Sequence, residues 1–198
     1  MNDITGFILA GGRSTRMAED KALLDWHGRP LLEHMCALAA KVSAQVRIVG
    51  SREKFGAYGD VVEDVYPDCG PLAGIHAALA ASSTELNLIL AVDMPFVESR
   101  FLEYLGAQAR AGAALVTSPR LAGRWQPLCA VYRRDFAAPA ETALRAGRNK
   151  IDALFADIPT RIVDEQELGR LAFAERMFEN LNTREELQRA RSRPLIRA

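Results

Sequence analysis

Two places in this chain put charge directly behind an apolar run. LNLILAV (86–92) is followed by Asp93-Met94-Pro95-Phe96, and ITGFIL (4–9) is followed by AGGRSTRMAEDK (10–21). In the second segment Gly11 and Gly12 let backbone approach a ligand closely. Arg13, Arg16 and Lys21 supply positive charge, with the cap-type residues Ser14 and Thr15 between them. That chemistry suits an anion: Arg16 and Lys21 could neutralise a triphosphate and take up charge on a departing pyrophosphate. A loop whose Glu19 and Asp20 pair locally with Arg16 and Lys21 would read the same. Asp93 could hold a divalent cation against phosphate oxygens, or cap the turn before Pro95. The loop has neither G-x-x-x-x-G-K-[ST] nor G-x-G-x-x-G spacing, so it belongs to neither common phosphate-binding fingerprint.

Weaker signals surround these. GPLAG (70–74) is a glycine-bearing turn in front of a helical run. It could pack against a base beside a positive helix N-terminus, or be ordinary wiring. Asp64 closes a short apolar segment and could bind a nucleotide or cap a turn. His27, His34 and His76 have no metal-ligand spacing, and His34 and His76 read as helix-face residues. Cys36, Cys69 and Cys129 contain no CxxC pair, which argues against a cysteine metal site or disulfide framework. Cys36 and Cys129 sit in apolar runs and read as small core residues.

The elements that must position these groups follow from hydrophobic period. Strands are expected at 4–9, 45–50, 60–64, 86–92, 113–118, 126–132 and 161–164. Helices are expected from Pro30 through 42, at 52–58 in part, 71–82, 98–110, 134–147, 149–155 and 184–193. LNLILAV reads as continuously apolar, hence as a central strand covered on both faces. QPLCAVY (126–132) is not expected to pair with the next strand in sequence. The βαβα order gives an α/β fold, a mainly parallel sheet covered by helices on both faces. The strands ending at Leu9 and Val92 should open onto the same sheet edge, where ligands of such sheets bind.

The 198 residues suit one domain, 1–198, with 191–198 as a loose tail. A hydrophobic content of 49% permits a large core. Lys plus Arg and Asp plus Glu are each 25, so no basic excess suggests a nucleic-acid surface. No secretory signal is visible, and apolar runs fall far short of the roughly 18 residues that span a bilayer. A cytoplasmic protein with no membrane association is the expectation.

LAGGRSTRMAEDKALL (9–24), GPLAG (70–74), DMPF (93–96), QPLCAVY (126–132) and FENLNTREEL (178–187) occur in one order across the chain. Together they resemble the MobA-type nucleotidyltransferases, the molybdenum cofactor guanylyltransferases, with their Rossmann-like fold. The resemblance implies transfer of GMP from GTP to the terminal phosphate of molybdopterin, with Mg²⁺ and release of pyrophosphate. It implies that Leu9, Ala10, Gly11 and Gly12 line the nucleotide site and that Arg16 and Lys21 contact phosphates. It places Asp64 near the ribose or guanine, Pro71, Leu72 and Gly74 near the base, and Asp93 on Mg²⁺. Asn180 and Asn182 resemble the family's late asparagine pair; a turn before a helix capped at Thr183 would also account for them. GG after the first strand and DMPF after the fourth resemble the guanylyl branch more than the cytidylyl one. The chain departs from the family at Ala18, where glycine is usual, and at Arg184, where proline is frequent. Ala18 would be strained if that position required positive φ, and it is the motive for a second reading, a nucleotide-binding regulator without turnover. Arg124, Gln126 and Arg148, within 119–160, are the candidates for the molybdopterin surface. Other cofactor-biosynthesis or molybdoenzyme-maturation proteins would be the partners.

Overall fold

The computed structural model describes residues 3–11 and 20–191. Strand β1 (Ile4–Leu9) is buried along its whole length. It is followed by a hairpin of β2 (Asp25–Trp26) and β3 (Arg29–Pro30), then α1 (Leu31–Ala39), β4 (Gln45–Val49), α2 (Arg52–Phe55) and β5 (Val61–Val62). Next come α3 (Pro71–Ala80), β6 (Leu86–Ala91), α4 (Ser99–Ala111), β7 (Val116–Leu121), β8 (Arg124–Trp125) and β9 (Cys129–Arg133). The chain continues through α5 (Ala137–Arg145), α6 (Ile151–Phe155), β10 (Thr160–Val163), α7 (Glu165–Arg170) and α8 (Arg184–Arg191).

The main sheet has the order β10-β7-β9-β6-β1-β4-β5, with β8 folded back on β7. β1 pairs in parallel with β4 and β6. β9 is antiparallel to both of its neighbours, β6 and β7, so it does not pair with the next strand in sequence. Alternation along β1 feeds two cores: Ile4 and Ile8 pack with α1 and α4 residues such as Leu32, Met35 and Leu105. Phe7 and Leu9 pack on the other face with α3 and α5 residues such as Leu72, Ile75 and Ala140. Helices therefore cover both faces, and the strands can be apolar on both sides.

Several expectations shift. The third strand shrinks to Val61–Val62, which leaves Asp64 in the connection beyond it. β7 starts at Val116 rather than 113 and runs on to Leu121. LNLILAV is not wholly apolar in its packing, because Asn87 is fully buried within β6. Its amide is met by Ser82 and by the Tyr132 carbonyl, as a buried polar group requires. α7 is absent from the sequence reading; Asp164 caps it by accepting from Glu167 N at 2.8 Å, and Leu168 is its buried residue. The β2–β3 hairpin was likewise not expected. It turns on His27 and Gly28, with φ of 52° and 88°, the paired positive values of a two-residue turn that matches strand twist.

Cys129 is buried, and Cys36 packs partly buried against the core. Burial, with a contribution from Glu33, pushes the Cys36 thiol up to about 11, as befits an inert core residue. Among the described residues, no helix is long and apolar enough to cross a membrane.

Candidate active site

Register fixes the site. Leu9 pairs with Ala91, and Val92 N donates to the Leu9 carbonyl at 3.1 Å. The chain leaving β1 and the chain leaving β6 therefore emerge side by side, as expected. Asp93 is the second residue past β6. Its backbone is pinned from the far end of the chain, where Leu181 N donates to the Asp93 carbonyl at 2.9 Å. Phe96 of the same turn meets Trp26 of the hairpin edge-on, with ring centroids 5.7 Å apart.

On this frame three side chains converge. Lys21 Nζ donates to Asp93 Oδ2 at 3.0 Å and to Asn182 Oδ1 at 3.3 Å. The Lys21 and Asp93 side chains are only 16% and 18% exposed, so the pair is shielded from water. Lys21 opens a short 3-10 turn, Lys21–Leu23, whose cap Asp20 accepts from Ala22 N at 3.2 Å. Asp20 is held a second time by Lys54 Nζ at 3.0 Å. Asn182 is set by a reciprocal cap on α8. Glu186 accepts from Asn182 N at 2.6 Å and Thr183 N at 3.1 Å, while Thr183 Oγ1 accepts from Glu186 N at 3.1 Å. The two readings of the asparagine segment thus coexist: Thr183 caps the helix, and Asn182 faces the site. Asn180 is exposed and is not part of the Lys21–Asp93–Asn182 group.

The second carboxylate oxygen, Asp93 Oδ1, is buried and has no hydrogen-bond partner among the described residues. A buried carboxylate oxygen left without a donor is costly, and a cation is the partner that suits it. Among the described residues no cluster of three or more His, Cys, Asp or Glu could hold a metal. One carboxylate plus substrate oxygens is the donor set Mg²⁺ commonly accepts, so the residues present fit that ion.

The remaining candidates divide. Gly12, Arg13, Arg16 and Ala18 lie outside the described residues. The amides of Ala10 and Gly11 both donate to the Val49 carbonyl, at 2.9 and 3.1 Å, so they are engaged within the sheet. The Leu9 side chain and Leu72 are buried in the core. Gly74 also serves packing: a Cβ there would meet Leu9 Cδ2 at 3.3 Å and Val49 Cγ1 at 3.5 Å. The glycine lets α3 approach the sheet, and Gly70 and Pro71, at the start of α3, are the exposed part of this motif. Asp64 follows parallel β5, on the same sheet edge as Asp93. Partial burial raises its carboxyl above the ordinary value, with His76 acting in the opposite direction.

β7 runs in the same direction as β6, because β9 is antiparallel to both. The β7–β8 connection, Arg124 and Gln126 therefore lie on this same edge, across Asp93 from Asp64. Leu128, entering β9, accepts from Ala91 N at 2.8 Å, which ties that side to the end of β6. Arg148 is exposed beyond α5. The residues the sequence reading missed are Leu181, acting through its backbone, and Glu186. An E three positions after T in NTREE was the available signal for the latter.

Known proteins share the sequence and the fold of this chain. The family model described as a MobA-like NTP transferase domain matches residues 6–162. A probable molybdenum cofactor guanylyltransferase of Pelotomaculum thermopropionicum is 36% identical over 96% of this chain and 93% of its own. A molybdenum cofactor guanylyltransferase of Pseudomonas fluorescens is 36% identical over 76% of this chain and 78% of its own. The crystal structure of molybdopterin-guanine dinucleotide biosynthesis protein A from Archaeoglobus fulgidus superposes with a TM-score of 0.81 at 25% identity, over 94% of this chain and 96% of that one. The family match over residues 6–162 and the 36% identity along nearly the whole chain place this protein in the MobA-like NTP transferase family.

Proposed function

We propose that this protein transfers GMP from GTP to the terminal phosphate of molybdopterin, releasing pyrophosphate. The observation that carries the mechanism is the Lys21 ammonium held between Asp93 Oδ2 and Asn182 Oδ1 while Asp93 Oδ1 stays buried and, among the described residues, unpartnered. Asp93 would hold Mg²⁺ through Oδ1, and the bound ion would screen the charge of the triphosphate. Lys21 aims a point charge at the same place, and Asn182 limits where that charge can go. Arg16 adds a second cation to the leaving pyrophosphate. The attacking group is a phosphate oxygen, already anionic near neutral pH, so the chain need not supply a strong base. Its contribution is alignment and electrostatics.

Along the edge, Asp64 and Pro71 bound the nucleoside side, and Arg124, Gln126 and Arg148 the acceptor side. Leu9, Ala10, Gly11 and Gly12 would line the nucleotide site through their backbone. The test is direct: incubate the protein with GTP, molybdopterin and Mg²⁺, and follow pyrophosphate and the guanine dinucleotide product. Preference for CTP would reassign the base. Absence of pyrophosphate release with any nucleoside triphosphate would end the catalytic reading and leave a nucleotide-binding regulator.

A further inference from the structure

His34 lies on α1, and its ring spans two other elements. Its Nε2 is 3.1 Å from the Pro95 carbonyl, and its Nδ1 is 3.1 Å from Arg29 Nη2. A guanidinium can only donate, so Nδ1 must be the unprotonated acceptor. Nε2 then carries the hydrogen and donates to Pro95. The neutral ring with its proton on Nε2 is the one state that satisfies both contacts. Burial lowers the pKa of the ring, the hydrogen bond to Pro95 works against it, and Arg29, His27 and Lys41 act in the same direction as burial. The ring lies 6.0 Å from Trp26, which in turn holds Phe96 edge-on. Asp93-Met94-Pro95-Phe96 is therefore fixed at three points: Leu181 on the Asp93 carbonyl, His34 on the Pro95 carbonyl and Trp26 on the Phe96 ring.

We propose that His34 is a positioning residue, which fixes the Asp93 carboxylate for the metal-bound triphosphate by clamping the Pro95 carbonyl with Arg29 behind it. This inference rests on the reading of Asp93 given above. Hydrogen bonds behind a metal-binding carboxylate set its orientation, and losing one weakens metal binding by about 10-fold to 100-fold. Glutamine can replace both contacts, its amide donating to Pro95 and its carbonyl accepting from Arg29. Leucine can replace neither.

The experiment measures Mn²⁺ binding in the presence of GTP by electron paramagnetic resonance, for the wild type, His34→Gln and His34→Leu. Thermal melting confirms that each variant is folded. His34→Leu should bind Mn²⁺ at least about tenfold more weakly, and His34→Gln should stay near the wild type. Long-range ¹H–¹⁵N spectra of the wild type near neutral pH should show a His34 ring protonated on Nε2 alone. Equal Mn²⁺ affinity in wild type and His34→Leu, equal loss in both variants, or a proton on Nδ1 would each overturn the assignment. Should the wild type bind no Mn²⁺ with GTP, the reading of Asp93 fails and takes this one with it. Wild-type binding that His34→Leu leaves intact removes the His34 role alone.

Discussion

Lys21 and Asp93 stand 72 positions apart in sequence and meet at 3.0 Å, on a sheet edge where neither side chain is well hydrated. The contact neutralises one oxygen of Asp93, and among the described residues the other has no donor. Replacing Asp93 with alanine should therefore remove the cation site and free Lys21 together. Turnover at saturating GTP and Mg²⁺ is expected to fall by about 100-fold or more, with the circular dichroism spectrum unchanged. Near-normal turnover would show that Asp93 is not the metal ligand.

Lys21 and Asn182 should rank below Asp93 in a graded order. Lys21→Met keeps the apolar stem and loses the charge, so kcat/KM should drop about 10-fold to 100-fold. Asn182→Ala removes one acceptor from Lys21, worth about 2-fold to 10-fold, the size of a single hydrogen bond. Steady-state kinetics on the three variants checks the ranking. A larger loss from Asn182→Ala than from Lys21→Met would mean that Asn182 has a direct role of its own.

Gly74 tests whether GPLAG works through packing. An alanine Cβ would sit 3.3 Å from Leu9 Cδ2, a contact the leucine can relieve by a small shift, and alanine favours the helix by about 1 kcal/mol. Gly74→Ala should thus stay within about 1 kcal/mol of wild type in urea unfolding, with GTP affinity unchanged. Gly74→Val should destabilise by about 1–3 kcal/mol through overpacking. Loss of GTP binding by a fully stable Gly74→Ala protein would restore a direct contact with the base.

His34 gives stability a pH dependence. Its folded pKa lies below the ordinary imidazole value of 6.5, chiefly through burial, so the unfolded chain takes up the proton first. The His34 contribution is present above about pH 6.5 and is lost as pH falls through the folded value. Unfolding free energies measured from pH 8 to pH 5 should decline more steeply for the wild type than for His34→Gln. Parallel curves would mean that the ring is not held neutral.

Asp64 carries the opposite sign. Its folded pKa is raised by partial burial, so the stability linked to it is complete below its ordinary value of 3.8 and lost as pH rises through the raised one. Asp64→Asn should raise the melting temperature at pH 7 and leave it unchanged at pH 3. If Asp64 also contacts the nucleoside, the same variant should bind GTP about 2-fold to 10-fold more weakly. A gain in stability with no loss of affinity would make Asp64 structural only.

The sheet was legible because its strands are apolar on both faces, and length plus Val, Ile and Leu content marks such strands. The mouth of the cleft followed from that, since Asp93 interrupts the apolar run at the strand end. Asn87 was hidden inside the same run because its partners, Ser82 and the Tyr132 carbonyl, are brought to it by the turn before β6 and by the antiparallel neighbour β9. α7 escaped because one buried leucine makes no periodicity. The hairpin escaped because His-Gly is not among the turn pairs that announce positive φ at two positions. GPLAG could equally pack against a base or be ordinary helix wiring, and only the fold shows that the neighbours of Gly74 in space are Leu9 and Val49. The His34 clamp depends on where a carbonyl 61 positions away comes to rest, and no one-dimensional pattern encodes that.

The matched family segment stops at residue 162, yet Leu181 and Asn182 close the site, Asn182 reaching Lys21 across 161 positions. The order of synthesis follows from this. A nascent chain can lay down β1, β4 and β6 early, but the Asp93 turn lacks its Leu181 anchor until the last segment leaves the ribosome. Closing so long a loop comes late in folding. A chain that stops short of residue 181 would leave the Asp93 carbonyl without its Leu181 donor and Lys21 without its Asn182 acceptor, so the last segment to be made is the one that fixes the turn at the end of β6.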